Sequence, residues 1–161
     1  MRRFIVPFLL CLVFFFLPLQ IFIIGDNSGI GIQGAVYRYQ VTDYGTSFIP
    51  VPREAGYVID GLYTGKTACS IIVWICGTVL LSITTLFSLI FSCDNRKDYN
   101  RIILYGLFGS CALYLISCVF QYGIFFSGPA GISIPIGILG VVVWTIIATK
   151  YPEIFNGSLV S

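Results

Sequence analysis

The chain has 161 residues, of which 57% are hydrophobic and only 10% charged, with a formal net charge of +2 and no histidine. A soluble domain carries about 25% charged residues, so this balance excludes an ordinary water-exposed globule. The missing histidine removes the commonest general base and metal ligand.

In chain order, four runs carry no formal charge, at about 4–24, 69–92, 102–125 and 132–149. Each reaches the roughly 18–20 residues with which an α-helix crosses a ~30 Å hydrocarbon layer. The fold class these runs predict is an all-α integral membrane protein. It is a four-transmembrane-helix bundle in one membrane domain, with a small β-rich extracytoplasmic segment, 25–68, between helices 1 and 2. The first run is longer than a signal core and no small-residue cleavage site follows it, so it reads as an uncleaved anchor. Arg2, Arg3, Arg96, Lys97, Arg101 and Lys150 outnumber Arg38, Arg53 and Lys66 on the other side. By the positive-inside bias both termini are then cytoplasmic, in a multi-pass protein of the cell membrane.

The segment after run 1 contains Gly29-Ile-Gly31-Ile-Gln-Gly34, with Glu54 twenty residues beyond Gly34. A dinucleotide loop of this pattern joins a strand to a helix N-terminus. Here a membrane helix is expected before it and a strand after it, so no cofactor is assigned. Residues 35–42 alternate in the manner of a strand, placing Tyr37 and Tyr39 on one face and Val36, Arg38 and Gln40 on the other. Asp43-Tyr-Gly-Thr46 is turn chemistry and 47–51 a return strand, which Pro50 and Pro52 mark as an edge. Tyr37, Arg38, Tyr39, Tyr44, Arg53, Tyr57 and Tyr63 are the candidate partner-binding residues, because Tyr and Arg concentrate in interface hot spots. The same tyrosines would equally suit docking onto the helix ends or a headgroup layer. With no cysteine between residues 12 and 68, a unit this small needs a neighbour to complete its core.

Runs 2 to 4 carry small residues at helical spacing, and Gly77, Gly106, Gly109, Ser133, Gly137 and Gly140 are assigned to helix packing. Cys76 and Cys118 fall at similar depth on antiparallel helices and form a possible thiol pair, although no C-x-x-C occurs. Gln20 and Gln121 are the strongest polar groups within the runs. Cys93 is a candidate for S-acylation, and the sequon at Asn156 is expected to be unmodified.

The order of helix, long β-forming segment, helix, short turn, helix, short turn, helix is similar to the claudin and peripheral-myelin-protein family. Gly61-Leu-Tyr63 resembles that family's Gly-Leu-Trp element, whereas its paired extracellular cysteines are missing. The resemblance implies adhesion or lateral assembly. The function expected from sequence is therefore non-enzymatic: lateral assembly, or a structural subunit, with the outer segment recognising a protein partner or its own copies. Membrane lipids and a homo-oligomer or larger membrane complex are the expected partners, with no nucleic acid and no metal or catalytic residues. The alternatives are a small transporter or channel for an uncharged solute, using Gln20, Gln121 and the Ser/Thr stripe of run 2, and a membrane thiol oxidoreductase using Cys76 and Cys118.

Overall fold

The computed structural model describes residues 5–25, 28–90 and 97–150. Cys93, the Asn156 sequon and the basic residues Arg2, Arg3 and Arg96 lie outside the described residues.

The first uncharged run is not one helix. It forms α1 (Ile5–Phe16) and then β1 (Gln20–Ile24). Pro18 lies between them: it lacks an N–H for a helical bond, and it pushes Leu17 out of the α region. The following Gln-Ile-Phe-Ile-Ile is rich in β-branched and aromatic residues, which suit a pleated surface. Next come β2 (Gly29–Gln33), β3 (Tyr37–Thr42) and β4 (Gly45–Pro50), joined as antiparallel neighbours. The β3–β4 hairpin pairs Thr42 with Gly45 across Asp43 and Tyr44, and Gly45 takes φ +118°, a conformation only glycine adopts without strain.

Four helices and another hairpin follow among the described residues. The short helix α2 (Val51–Ile59) opens with proline in its first turn, where the absent N–H costs nothing. Helices α3 (Gly65–Ile90) and α4 (Lys97–Tyr122) follow, then β5 (Ser127–Gly128) and β6 (Gly131–Ile134), and last α5 (Ile136–Lys150). Pro135 separates β6 from α5, so the fourth uncharged run also begins as a strand. The six strands form one open sheet in the order β4-β3-β2-β1-β6-β5.

The helices meet the sheet at α2 with β4, α4 with β5 and β6, and α5 with β1. α3 and α4 run antiparallel and close together, with Gly77 against the Tyr114 ring, Gly106 against Thr84 and Gly109 against Leu80. Trp74 and Tyr114 pack with ring centroids 4.5 Å apart, and Leu81, Leu107, Cys111, Ile138 and Val141 continue the same core. Hydroxyls bridge the two helices at Ser70 and Ser117, where Ser117 Oγ donates to the Ser70 carbonyl at 2.7 Å.

The all-α four-transmembrane bundle is thus replaced by a mixed α/β fold with a layer of helices on an antiparallel sheet. Among the described residues two helices, α3 and Arg101–Tyr122 of α4, are long and apolar enough to cross a membrane, and Ile136–Ile147 is a shorter apolar stretch. A core helix satisfies the same length and composition. The sheet is not a small outer cap on a bundle: it recruits residues from both the first and the fourth uncharged runs. With four spans gone, the multi-pass placement in the cell membrane, the cytoplasmic termini and the lipid partners lose the feature that carried them, as does the order of elements resembling the claudin family.

Candidate functional site

Strand register decides which side chains meet the helices. On the inner face, Gln20 pairs across to Gln33 and Gln33 to Arg38, while Phe22 stands opposite Gly31 and Ser133. Gln20 is the hub of a buried polar cluster. Its Nε2 donates to Gln33 Oε1 at 2.7 Å, and its Oε1 accepts from Cys118 Sγ at 2.7 Å and from Ser133 Oγ at 3.0 Å. Each of the four side chains in this cluster therefore has a hydrogen-bond partner, as burial requires.

The second inner-face feature is an ion pair. Arg38 Nη1 donates to Glu54 Oε1 at 3.3 Å, and the two side chains are 11% and 2% exposed. The guanidinium also lies 4.4 Å from the centroid of the Phe22 ring. Burial raises the Glu54 carboxyl above its ordinary value, and Arg38, which pulls it down, does not outweigh that. Tyr122, the floor of this corner, is pushed up to about 12, mainly by burial.

The outer face is built from the alternate residues, and its chemistry is inverted. One row reads Phe48, Tyr39, Ile32, Ile21 and Ile134 across β4, β3, β2, β1 and β6, and the row beside it reads Thr46, Val41, Ile30, Ile23 and Ile132. No charged side chain occurs in either row. An antiparallel sheet with one covered face normally puts apolar residues inward and polar ones outward; this one puts glutamines, a serine and an ion pair inward and isoleucines outward. Phe48 is 60% exposed and Ile30 53% exposed, with Tyr39, Val41, Ile132 and Ile134 also open.

The seven candidate partner-binding residues divide between these environments. Tyr37 and Tyr39 belong to the outer face, where the Tyr37 ring stacks on Phe48 at 5.9 Å and its hydroxyl donates to the Phe16 carbonyl at 3.0 Å. Tyr44 stands fully exposed at the hairpin tip. Arg38 points inward to Glu54. Arg53 lies over the Tyr57 ring, and Tyr57 meets Tyr63 edge-on at 5.5 Å, so these three form a separate group on and after α2. The residues assigned to helix packing also divide: Ser133 is in β6, Gly137 lies against Pro18 and Leu19, and the space at Gly140 is open. Sequence reasoning missed Ile21, Ile23, Ile132 and Ile134 because it placed them in helices. The signal that could have found them is the period-two alternation of Gly-Ile-Gly-Ile at 29–32 and Gly-Ile-Ser-Ile at 131–134.

The alternatives of solute transport and thiol chemistry do not survive these contacts. Gln20 is saturated within the buried cluster, and Gln121 accepts from Ser70. The α3 hydroxyls turn back onto backbone, as in Thr84 to Leu80 and Thr85 to Leu81, so among the described residues they line no polar path. Cys76 is exposed on α3 while Cys118 is buried, hydrogen-bonded and pushed up to about 12 by burial; a protonated, enclosed thiol is a poor nucleophile. The described cysteines are free, and among the described residues no cluster of His, Cys, Asp and Glu could hold a metal ion. Lateral assembly as a membrane bundle falls with the four spans on which it depended, and partnership in a larger membrane complex falls with it. The Gly29-to-Gly34 motif is explained by the sheet: a Cβ at Gly31 would strike the Phe22 ring and the Tyr39 carbonyl, and one at Gly34 the Tyr37 ring. No protein-family model, curated protein or solved structure matches the chain.

Proposed function

We propose that the chain is a non-catalytic recognition module whose open sheet face receives an amphipathic helix of another protein. The observation that carries this is the inverted polarity of the sheet, with two adjoining, charge-free rows in which Phe48, Tyr39, Val41, Ile30, Ile132 and Ile134 are exposed. Contiguous exposed apolar surface marks an interaction site. Its dimensions choose the occupant. Five strands at ~4.8 Å spacing make each row about 19 Å long, and the rows lie about 7 Å apart. That stripe matches about 13 residues of helix, ~10 Å wide. It is far smaller than the ~800 Å² that each partner contributes to a standard domain interface, which disfavours a second copy of the chain. Tyr39 and Phe48 supply the aromatic anchors, with Tyr37 beside them and Tyr44 at the rim. The absence of histidine from the sequence and the engagement of Glu54 by Arg38 support a non-catalytic role.

Photocrosslinking in the host cell tests the proposal. With p-benzoylphenylalanine at position 48 or 30, a discrete adduct with another protein is expected, joined through an amphipathic helical segment. A probe at Ile59, exposed on α2, should give none. Phe48→Asp should abolish the adduct formed from position 30. Adducts only with lipid, adducts only with copies of this chain, equal yield from position 59, or no adduct at all would each refute the reading.

A further inference from the structure

We propose that the chain pairs with a second copy of itself through the exposed face of α3, as an antiparallel two-helix coiled coil. One row of α3, Ser70, Trp74, Gly77, Leu81, Thr84 and Ser88, is buried. It steps by four and three residues, the spacing with which one helix of a supercoiled pair meets another, and it meets α4 at Ser117 and Tyr114. A second row with the same alternation, Cys69, Ile72, Cys76, Val79, Ile83, Leu86 and Ile90, lies on the nearly opposite side of the helix. It is exposed throughout, its five aliphatic side chains at 46% to 66%. Three unbroken heptads of this kind predict a left-handed supercoil with a further helix. The row spans about 32 Å at 1.5 Å per residue. No charged residue occurs from Thr67 to Cys93, so two copies of α3 bring no like charges together along it.

The distribution of size along the row selects its own copy as the occupant. Gly65, Cys69 and Cys76 stand toward the N-terminal end of α3, and Ile83, Leu86 and Ile90 toward the C-terminal end. Set antiparallel about a two-fold axis, Gly65 comes opposite the second copy's Ile90, Cys69 opposite its Leu86, Ile72 opposite its Ile83 and Cys76 opposite its Val79. Three of these four layers join a smaller residue to a larger one, so the side chains interdigitate at even spacing. A parallel pair would gather four cysteines at one end and wedge the helices apart at the other. The open surface of the row is on the order of 600 Å² per copy and 1,200 Å² for the pair, the lower limit of a stable interface. The row shares no residue with the open sheet face, so either proposal can fail without the other. In dilute solution, where the copies separate, Cys69 and Cys76 stay open to reagents.

Sedimentation equilibrium of the purified full chain should show a monomer–dimer equilibrium. Ile83→Glu should weaken the dimer at least about 100-fold, because it carries a carboxylate into an apolar seam. Val143→Glu, at an exposed position of α5, should leave it unchanged. Leu86→Cys under mild oxidation reads the register: chymotryptic peptides should contain a disulfide from Cys69 to position 86. These positions are about 26 Å apart along one helix, so that bond joins two chains. A chain monomeric at every concentration or assembled only beyond the dimer, a dimer that survives Ile83→Glu, equal loss with Val143→Glu, or absence of the 69-to-86 bond would overturn the proposal.

Discussion

Removing Arg38 from the Arg38–Glu54 pair should destabilise the corner where α2 meets the sheet. At 3.3 Å and an effective dielectric of about 20, the attraction is about 5 kcal/mol, opposed by the desolvation of both groups. The raised Glu54 carboxyl means that desolvation exceeds what Arg38 returns to it. Arg38→Met alone leaves the buried Glu54 carboxylate without its counter-charge, a loss of about 3–5 kcal/mol, whereas Arg38→Met with Glu54→Leu removes both charges and should fall within about 2 kcal/mol of native. The second substitution should thus recover at least about 1 kcal/mol of what the first loses. The pH dependence has a definite sign. A carboxyl raised in the folded state binds its proton more tightly there than in the unfolded chain. Its stabilising contribution is complete below the ordinary value of 4.5 and is lost as pH rises through the folded value. The native chain should therefore gain on Glu54→Gln between pH 7 and pH 5. Guanidinium unfolding followed by tryptophan fluorescence, with Trp74 buried against Tyr114, measures both effects. A cost of Arg38→Met below about 1 kcal/mol, a double variant no more stable than that single, or a gap that is flat or reversed with pH would refute the reasoning.

Other perturbations address the remaining contacts. Gly31→Ala forces a methyl into the Phe22 ring and the Tyr39 carbonyl, and overpacking of this kind costs about 1–3 kcal/mol, measurable in the same unfolding assay; a neutral effect would place Phe22 elsewhere. Gln20→Leu strands the polar groups of Gln33, Cys118 and Ser133 and should cost at least about 2 kcal/mol, since each buried unsatisfied group costs about 1–3. Maleimide labelling of the native protein should modify Cys69 and Cys76 rapidly and spare Cys11, Cys111 and Cys118, with all five reacting after denaturation; mass spectrometry of the labelled peptides reports the pattern. Phe48→Asp should leave unfolding within about 0.5 kcal/mol of native, because a largely exposed side chain contributes little to the fold.

The hairpin of β3 and β4 could be read directly from the chain. Its alternation, its Asp-Tyr-Gly turn and its proline-marked edge are local signals, and local signals survive folding. α3 and α4 could also be read as helices, since 26 residues without proline, with small residues at the seam, leave few other choices. The first uncharged run misled because hydropathy does not distinguish a continuous helix from a helix and a strand. Both bury the same apolar residues, and Pro18 was the only mark of the division. The inward turn of Arg38 could not be foreseen, because Glu54 becomes its partner only when α2 folds back beneath β3.

The amino-acid sequence by itself determined where the apolar residues are, which segments prefer extended or helical backbone, and that histidine chemistry is absent, because these depend on side-chain type and near neighbours. The tertiary structure decided which face of each strand meets the helices. Register is a long-range property: shifting a strand by one residue would exchange Gln20, Gln33 and Arg38 for Ile21, Ile32 and Tyr39. Only the buried hydrogen bonds joining Gln20 to Gln33, Cys118 and Ser133 fix the alternative in which the polar groups face the helices and the isoleucines are left open.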